Sequence, residues 1–176
     1  VSQIRYDEAL IDGDVQLITA VDPADFDQVV KIKPSDGAYE RLEKGGIIVR
    51  STYLQDQGWG ENDTVAVDLG DGNTQELAIV GTFDDEFDTK IIVSRNVYTQ
   101  ARGTQSDTYL SANYERTANQ EEVRAEVDEL AAQYPTSEVQ NIDELVEQQK
   151  EQINQILGLF WALLGFAILI AVLGIT

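Results

Sequence analysis

The sequence predicts an α+β fold, a mixed β-sheet with short packing helices, followed by a C-terminal transmembrane α-helix. Three observations carry this expectation. Short apolar runs, some alternating and some continuous, recur between Gly, Asp and Asn turns over residues 1–114. Two stretches with helix-capping signals and amphipathic stripes follow. The third is the run 157–175, LGLFWALLGFAILIAVLGI, which has no charged or strongly polar side chain. At ~1.5 Å of rise per residue it makes a helix of ~30 Å, the thickness of a bilayer's hydrocarbon core. A buried core helix usually keeps a polar edge, which this run lacks, and a secretory signal would be N-terminal behind a basic region.

In chain order, residues 1–10 read as a short strand at an edge, with Ile4 and Tyr6 on one parity, before the turn Asp12-Gly13-Asp14. Residues 15–21 form a firmer strand leading to Asp22-Pro23, where Asp caps a helix and Pro occupies its first turn. A helical turn at 39–42 ends at Gly45-Gly46. Residues 47–50, IIVR, then make a strand apolar on both faces. Ser51 is expected to cap a helical piece at 52–57, stopped by Gly58. Strands at 64–69 and 74–83 flank Gly70-Asp71-Gly72-Asn73, the strongest hairpin signal in the chain. An acidic loop at 84–88, a strand at 91–93, a short helix at 95–101 and a strand at 108–114 come next. Asn119 with Glu122 resembles a capping box for a helix whose stripe is Val123, Val127, Leu130, Ala131 and Tyr134, expected to lie on the sheet. Residues 137–140 allow one more short strand. Asn141 with Glu144 repeats the cap pattern, and the stripe Ile142, Leu145, Val146, Gln149, Ile153 and Ile156 runs into the apolar segment without Gly or Pro.

Composition excludes several function classes. The 176 residues contain no Cys and no His, which removes thiol chemistry, disulfides, histidine bases and the usual zinc sites from this stretch. Asp plus Glu number 32 against 12 Lys plus Arg, a net charge of −20, which disfavours nucleic acid and anionic lipid surfaces as partners of the polar part. Lys150 stands alone among Glu144, Glu147 and Glu151 before the apolar run, the flank expected on the outer side of a membrane. The chain begins at Val1 and contains no Met, and reads as a piece of a longer protein.

Two segments together resemble a known family. Residues 45–85, GGIIVRSTYLQDQGWGENDTVAVDLGDGNTQELAIVGTFDD, are similar to the extracytoplasmic domain of FtsX/MacB-type ABC transporter permeases. The shared order is an apolar strand (Ile47, Ile48, Val49), a G-x-x-D-T-V strand start (Gly60, Asp63, Thr64, Val65), a turn (Asp71-Gly72) and a V-V-G-like end (Ile79, Val80, Gly81). Residues 155–175 resemble the first helix of that family's C-terminal membrane unit. Ile18-Thr19-Ala20-Val21-Asp22-Pro23 is similar to a segment of members with two such units, and implies the later of two ectodomains.

The resemblance implies a MacB-like periplasmic-core-type domain at 1–140, a connecting stalk helix at 141–156, and at 157–176 a transmembrane helix that starts an FtsX-like permease domain. Residues 1–156 would lie on the extracytoplasmic side of the cell membrane. It also implies no enzymatic activity in this chain. The expected partners are a cytoplasmic ABC ATPase subunit, a second permease copy or half, and the lipid bilayer, with no nucleic acid and no cofactor. The alternative is a single-span membrane-anchored sensor or binding domain.

No catalytic or metal constellation stands out. Asp84, Asp85, Glu86 and Asp88 lack calcium-loop spacing and read as a solvated loop, while Asp68, Asp71 and Asn73 are explained by the hairpin turn. Gly45-Gly46 lacks the Lys-Ser or Lys-Thr of a phosphate loop. In the apolar run, Gly158 with Ala162 and Ala167 with Ala171 are small residues four apart, suited to close helix packing. Phe160 and Trp161 fit an interfacial anchor.

Overall fold

Strand β1 (Ser2–Ile11) and strand β2 (Asp14–Val21) pair antiparallel from Ile4 opposite Val21 to Ile11 opposite Asp14. The chain reverses through Asp12 and Gly13, both at positive φ (51° and 90°). The computed structural model describes every residue except 85, 86, 88, 175 and 176, with the side chains of 148, 149, 169, 171, 172 and 174 also outside the description. Three members of the expected acidic loop, Asp85, Glu86 and Asp88, therefore lie outside the described residues. The described chain forms two compact units, Val1–Tyr114 and Glu115–Thr176.

The first unit contains a mixed sheet with β3 (Ile47–Arg50), β4 (Thr64–Asp68), β5 (Thr74–Phe83), β6 (Ile91–Ser94) and β7 (Tyr109–Ser111). Its order is β2-β6-β3-β5-β4-β1-β7, with β2–β6 and β3–β5 parallel and the remaining pairs antiparallel. Because β1 pairs with β4 at Leu10 and Ile11 and also with β2 along its length, six strands close on themselves. The first strand is thus neither short nor at an edge. The edge position belongs to β7, which joins β1 at Ser2–Ile4 and is shorter than its sequence run.

Strand alternation fills the inside of this ring. Each of the six strands sends two side chains to one cluster: Ala9 and Ile11, Ile18 and Ala20, Ile47 and Val49, Val65 and Val67, Leu77 and Ile79, Ile91 and Val93. Helix α3 (Ser51–Gln57) closes it with Tyr53 and Leu54, and helix α4 (Arg95–Arg102) with Tyr98, Val97 and Ala101. A second cluster on the outer face joins Ile4, Val21, Ile48, Phe83 and Ile92 to Phe26 of α1 (Pro23–Val29) and Ala38 and Leu42 of α2 (Ala38–Glu43). Ile47, Ile48, Val49, Ile91, Ile92 and Val93 are all fully buried, as expected of strands covered on both faces.

Local chemistry sets the boundaries. Asp22 Oδ1 accepts from the Ala24 amide at 3.2 Å and Pro23 sits in the first turn of α1, as the sequence indicates. Helix α3 begins one residue earlier than expected. Ser51 lies inside its first turn, and its hydroxyl donates to the Phe83 carbonyl at 3.3 Å instead of capping the helix. Asp63 explains the G-x-x-D spacing: its Oδ2 accepts from the Gly60 amide at 2.7 Å, and its backbone carbonyl accepts from Ile79 at 2.8 Å.

The β3–β5 register steps from Ile47 opposite Ile79 to Ile48 opposite Gly81, so Val80 is an extra residue in β5. A bulge of this kind switches the face along a strand. Leu77 and Ile79 point into the ring, whereas Phe83 packs on the outer cluster and Gly81 meets α2. A Cβ on Gly81 would stand 2.4 Å from the Ala38 Cβ and 2.8 Å from the Ser35 Oγ.

In the second unit, helix α5 (Gln120–Ala131) is capped by Asn119, whose side chain accepts from the Glu121 amide at 3.2 Å. None of its residues is buried, and Val127, Leu130 and Tyr134 of the expected stripe are exposed. Residues 137–140 form no strand, and Asn141 leads directly into helix α6 (Ile142–Gly174).

The close approach of α2 to Gly81 yields a test of the outer cluster. Gly81→Ala should lower the unfolding free energy by about 1–3 kcal/mol through overpacking. Gly13→Ala meets no neighbouring atom and should cost only the strain of positive φ. Chemical denaturation of both variants measures the difference.

Candidate functional site

Two places gather chemistry: a polar brace at one mouth of the ring, and helix α6. The brace begins at Asp7 on β1. The Tyr98 hydroxyl of α4 donates to Asp7 Oδ2, and the Arg102 guanidinium lies 3.5 Å from the same oxygen. Arg102 also donates through Nε to the Leu69 carbonyl and through Nη2 to the Glu8 carbonyl at 3.3 Å. Arg5 lies over the Tyr98 ring, 5.6 Å from its centroid, and donates from Nη1 to Gln105 Oε1 at 2.9 Å. Arg95 pairs with Asp107, with Nη2 to Oδ2 at 3.0 Å.

A shallow cleft of about 140 Å³ opens between Arg5, Arg95, Thr99 and Gln105. Its two guanidinium groups are committed, Arg5 to Gln105 and Arg95 to Asp107, while Arg102 beside it ties α4 to β1 and to the β4–β5 turn. Burial pushes the Asp7 carboxyl up. The Tyr98 hydrogen bond, the Glu8 amide and the Arg102 and Arg5 charges outweigh it and hold Asp7 below the usual aspartate range. The Tyr98 hydroxyl is pushed up by burial and by the same bond to Asp7.

The other acidic candidates are structural. Asp68 Oδ1 accepts from the amides of Gly70 at 2.7 Å and Gly72 at 3.2 Å, and Asp71 accepts from the Asn73 amide and side chain at 3.0 Å each. These carboxylates close the β4–β5 turn. Among the described residues, no group of three or more acidic side chains converges into a metal-binding set.

Helix α6 starts with a reciprocal cap. The Asn141 amide donates to Glu144 Oε2 and the Glu144 amide donates to Asn141 Oδ1, both at 2.8 Å. From there 33 residues run without a break, ~50 Å at the usual rise. Among the described residues this is the helix long and apolar enough to cross a membrane. Leu159, Phe160, Trp161, Leu163, Phe166 and Ile170 of its second half are exposed, Phe160 by 65% and Trp161 by 71%. Apolar surface of this extent marks a membrane or protein contact.

The helical period arranges the small residues. Gly158 and Ala162 share one face, while Ala167 stands about 180° from Gly158; the expected partner Ala171 lies outside the described side chains. The sequence reading missed Gly165, which the same period returns to the Gly158 and Ala162 face. A Cβ at Gly158 or Gly165 meets no atom within 4 Å, so that face is open. The spacing of seven from Gly158 was the signal available for finding it.

Two of the solved structures similar to this chain carry the comparison. One is the periplasmic region of MacB from Actinobacillus actinomycetemcomitans, 10% identical, with a TM-score of 0.57 over 85% of this chain and 74% of that one. The fold is MacB-like. The other is a domain assigned to a permease protein from Porphyromonas gingivalis, 9% identical, with a TM-score of 0.51 over 76% of this chain. The chain spans 62% of the length of that domain. No family model matches the chain, and no curated protein is similar to it. At such identities the likeness is one of fold.

The depressed Asp7 carboxyl stabilises the folded domain above the ordinary aspartate pKa, and that contribution is lost as pH falls through the lower folded value. Thermal stability should therefore drop below about pH 4. Asp7→Asn should be less stable at pH 7 and show a flatter acid limb, measured by melting curves from pH 2 to 7.

Proposed function

We propose that this chain is the extracytoplasmic domain and adjoining membrane helix of an ABC transporter permease. The observation that carries the reading is the joining of a MacB-like fold to one uninterrupted helix whose second half is apolar on every side. In this reading residues 1–140 form the domain outside the membrane, 141–156 the stalk and 157–176 the first helix of the permease unit. ATP is hydrolysed by a separate cytoplasmic subunit, and this chain is non-catalytic. A second permease copy or half completes the assembly.

Helix α6 acts as a lever. Its apolar half packs among membrane helices, with Gly158 and Ala162 on one side and Ala167 and Ala171 on the other admitting close neighbours. Phe160 and Trp161 hold its depth at the outer interface. Its polar half carries displacement outward, because helical hydrogen bonding from Ile142 onward contains no hinge. The output is export of a substrate or a mechanical signal across the membrane.

The lever predicts a specific failure. Insertion of Gly-Gly, or of Pro, within residues 149–152 breaks the helix between its two halves. Transport, or the mechanical output, should fall at least tenfold, while the ATPase subunit still co-purifies with the permease. Unchanged output in such a variant sinks the lever.

A further inference from the structure

We infer that Arg124 is a latch between α5 and α6, making the two helices move as one body. This rests on the reading of α6 as a lever and names the residue through which the lever takes hold of the polar segment before it. Arg124 Nε donates to both carboxylate oxygens of Asp128 at 3.0 Å, one turn along α5. Its Nη1 donates to Glu144 Oε2 at 3.2 Å in the first turn of α6, and its Nη2 to the Val139 carbonyl at 2.9 Å in the connection. One planar group thus joins the helix before the connection, the connection itself and the helix after it. Only a guanidinium has donors in a fixed fork that can serve three such acceptors together.

The grip on Glu144 is a grip on the helix end. Glu144 Oε2 also accepts from the Asn141 amide at 2.8 Å, while the Glu144 amide is held by Asn141 Oδ1 at 2.8 Å. A force applied through Arg124 therefore reaches the backbone at the start of α6. Apolar packing does not substitute for this bond, because no residue of α5 is buried. The Arg124 side chain is 28% exposed and its partners Asp128 and Glu144 are 50% and 47% exposed. A single exposed ion pair would hold little; here three acceptors share one rigid donor group.

The chain contains no cysteine, so spin labels can be placed at Glu126→Cys on α5 and Glu147→Cys on α6 without other changes. Pulsed dipolar spectroscopy on the full chain in lipid nanodiscs reads the distance distribution between them. The unsubstituted Arg124 background should give one narrow distribution, and Arg124→Gln one at least twice as broad. Arg124→Lys should broaden nearly as much, since an ammonium lacks the fork. Glu144→Gln keeps a capping side chain at its position but removes the charge, so it should broaden the distribution with helix content by circular dichroism unchanged. Equal widths in Arg124→Gln and the Arg124 background overturn the latch and leave the lever standing. Broadening together with unimpaired output of the assembled transporter supports the latch and overturns the lever, so the two ideas fail separately.

Discussion

The structure of the first unit depends on β1 pairing along both of its edges. With β2 on one side and β4 and β7 on the other, the sheet returns to itself and its inner side chains meet across a closed space. Twelve strand residues then form a core that neither an open sheet nor a helix-covered face of this size would supply. The helices are consequences of closure. Helices α3 and α4 plug the interior with Tyr53 and Tyr98, while α1 and α2 cover the outer surface left apolar by the opposite parity. The Asp7, Tyr98 and Arg102 brace is the polar counterpart of the same closure, since it ties a plugging helix to the strand that shuts the ring.

The second unit is built on a different principle. No residue of helix α5 is fully buried, so polar bonds at Arg124 and the cap at Asn141 define the local arrangement. Helix α6 then changes composition along its length. Asp143, Glu144, Glu147, Lys150 and Glu151 occupy its first turns, and beyond them the charge stops. Continuous backbone hydrogen bonding is what allows one element to cross from a polar to an apolar environment without stranding amides or carbonyls.

Much of this was legible wherever local chemistry decides the outcome. The runs around Ile48 and Ile92 announce burial on both faces because they contain no polar position. Asp22-Pro23 and the Asn141 with Glu144 pair announce helix starts because their side chains bond within one turn. Ring closure was not legible: the contacts of Leu10 with Asp68 and of Ile11 with Val67 join residues far apart in sequence, and nothing in residues 1–10 marks a second partner. The Val80 bulge was hidden for a related reason, since its cause is the register against β3 and the approach of α2 to Gly81. Ser51 looked like a cap, but the helix already begins at Ser51 with Arg50 in the cap position, and the Ser51 hydroxyl donates to the Phe83 carbonyl. On α6 the facing of the small residues follows from period alone, and Gly165 was overlooked because it lies seven, not four, residues from Gly158.

The short strand β7 has a consequence for how such domains tolerate one another. Ring closure leaves β7 as the terminal strand of the described sheet, with the outer edge of Tyr109–Ser111 unpaired. Three residues are too few to template a stable intermolecular ladder. A neighbouring copy therefore gains little by pairing along that edge, and the net charge of −20 adds mutual repulsion to that protection. Resistance to aggregation is thus a property of the topology as well as of the surface.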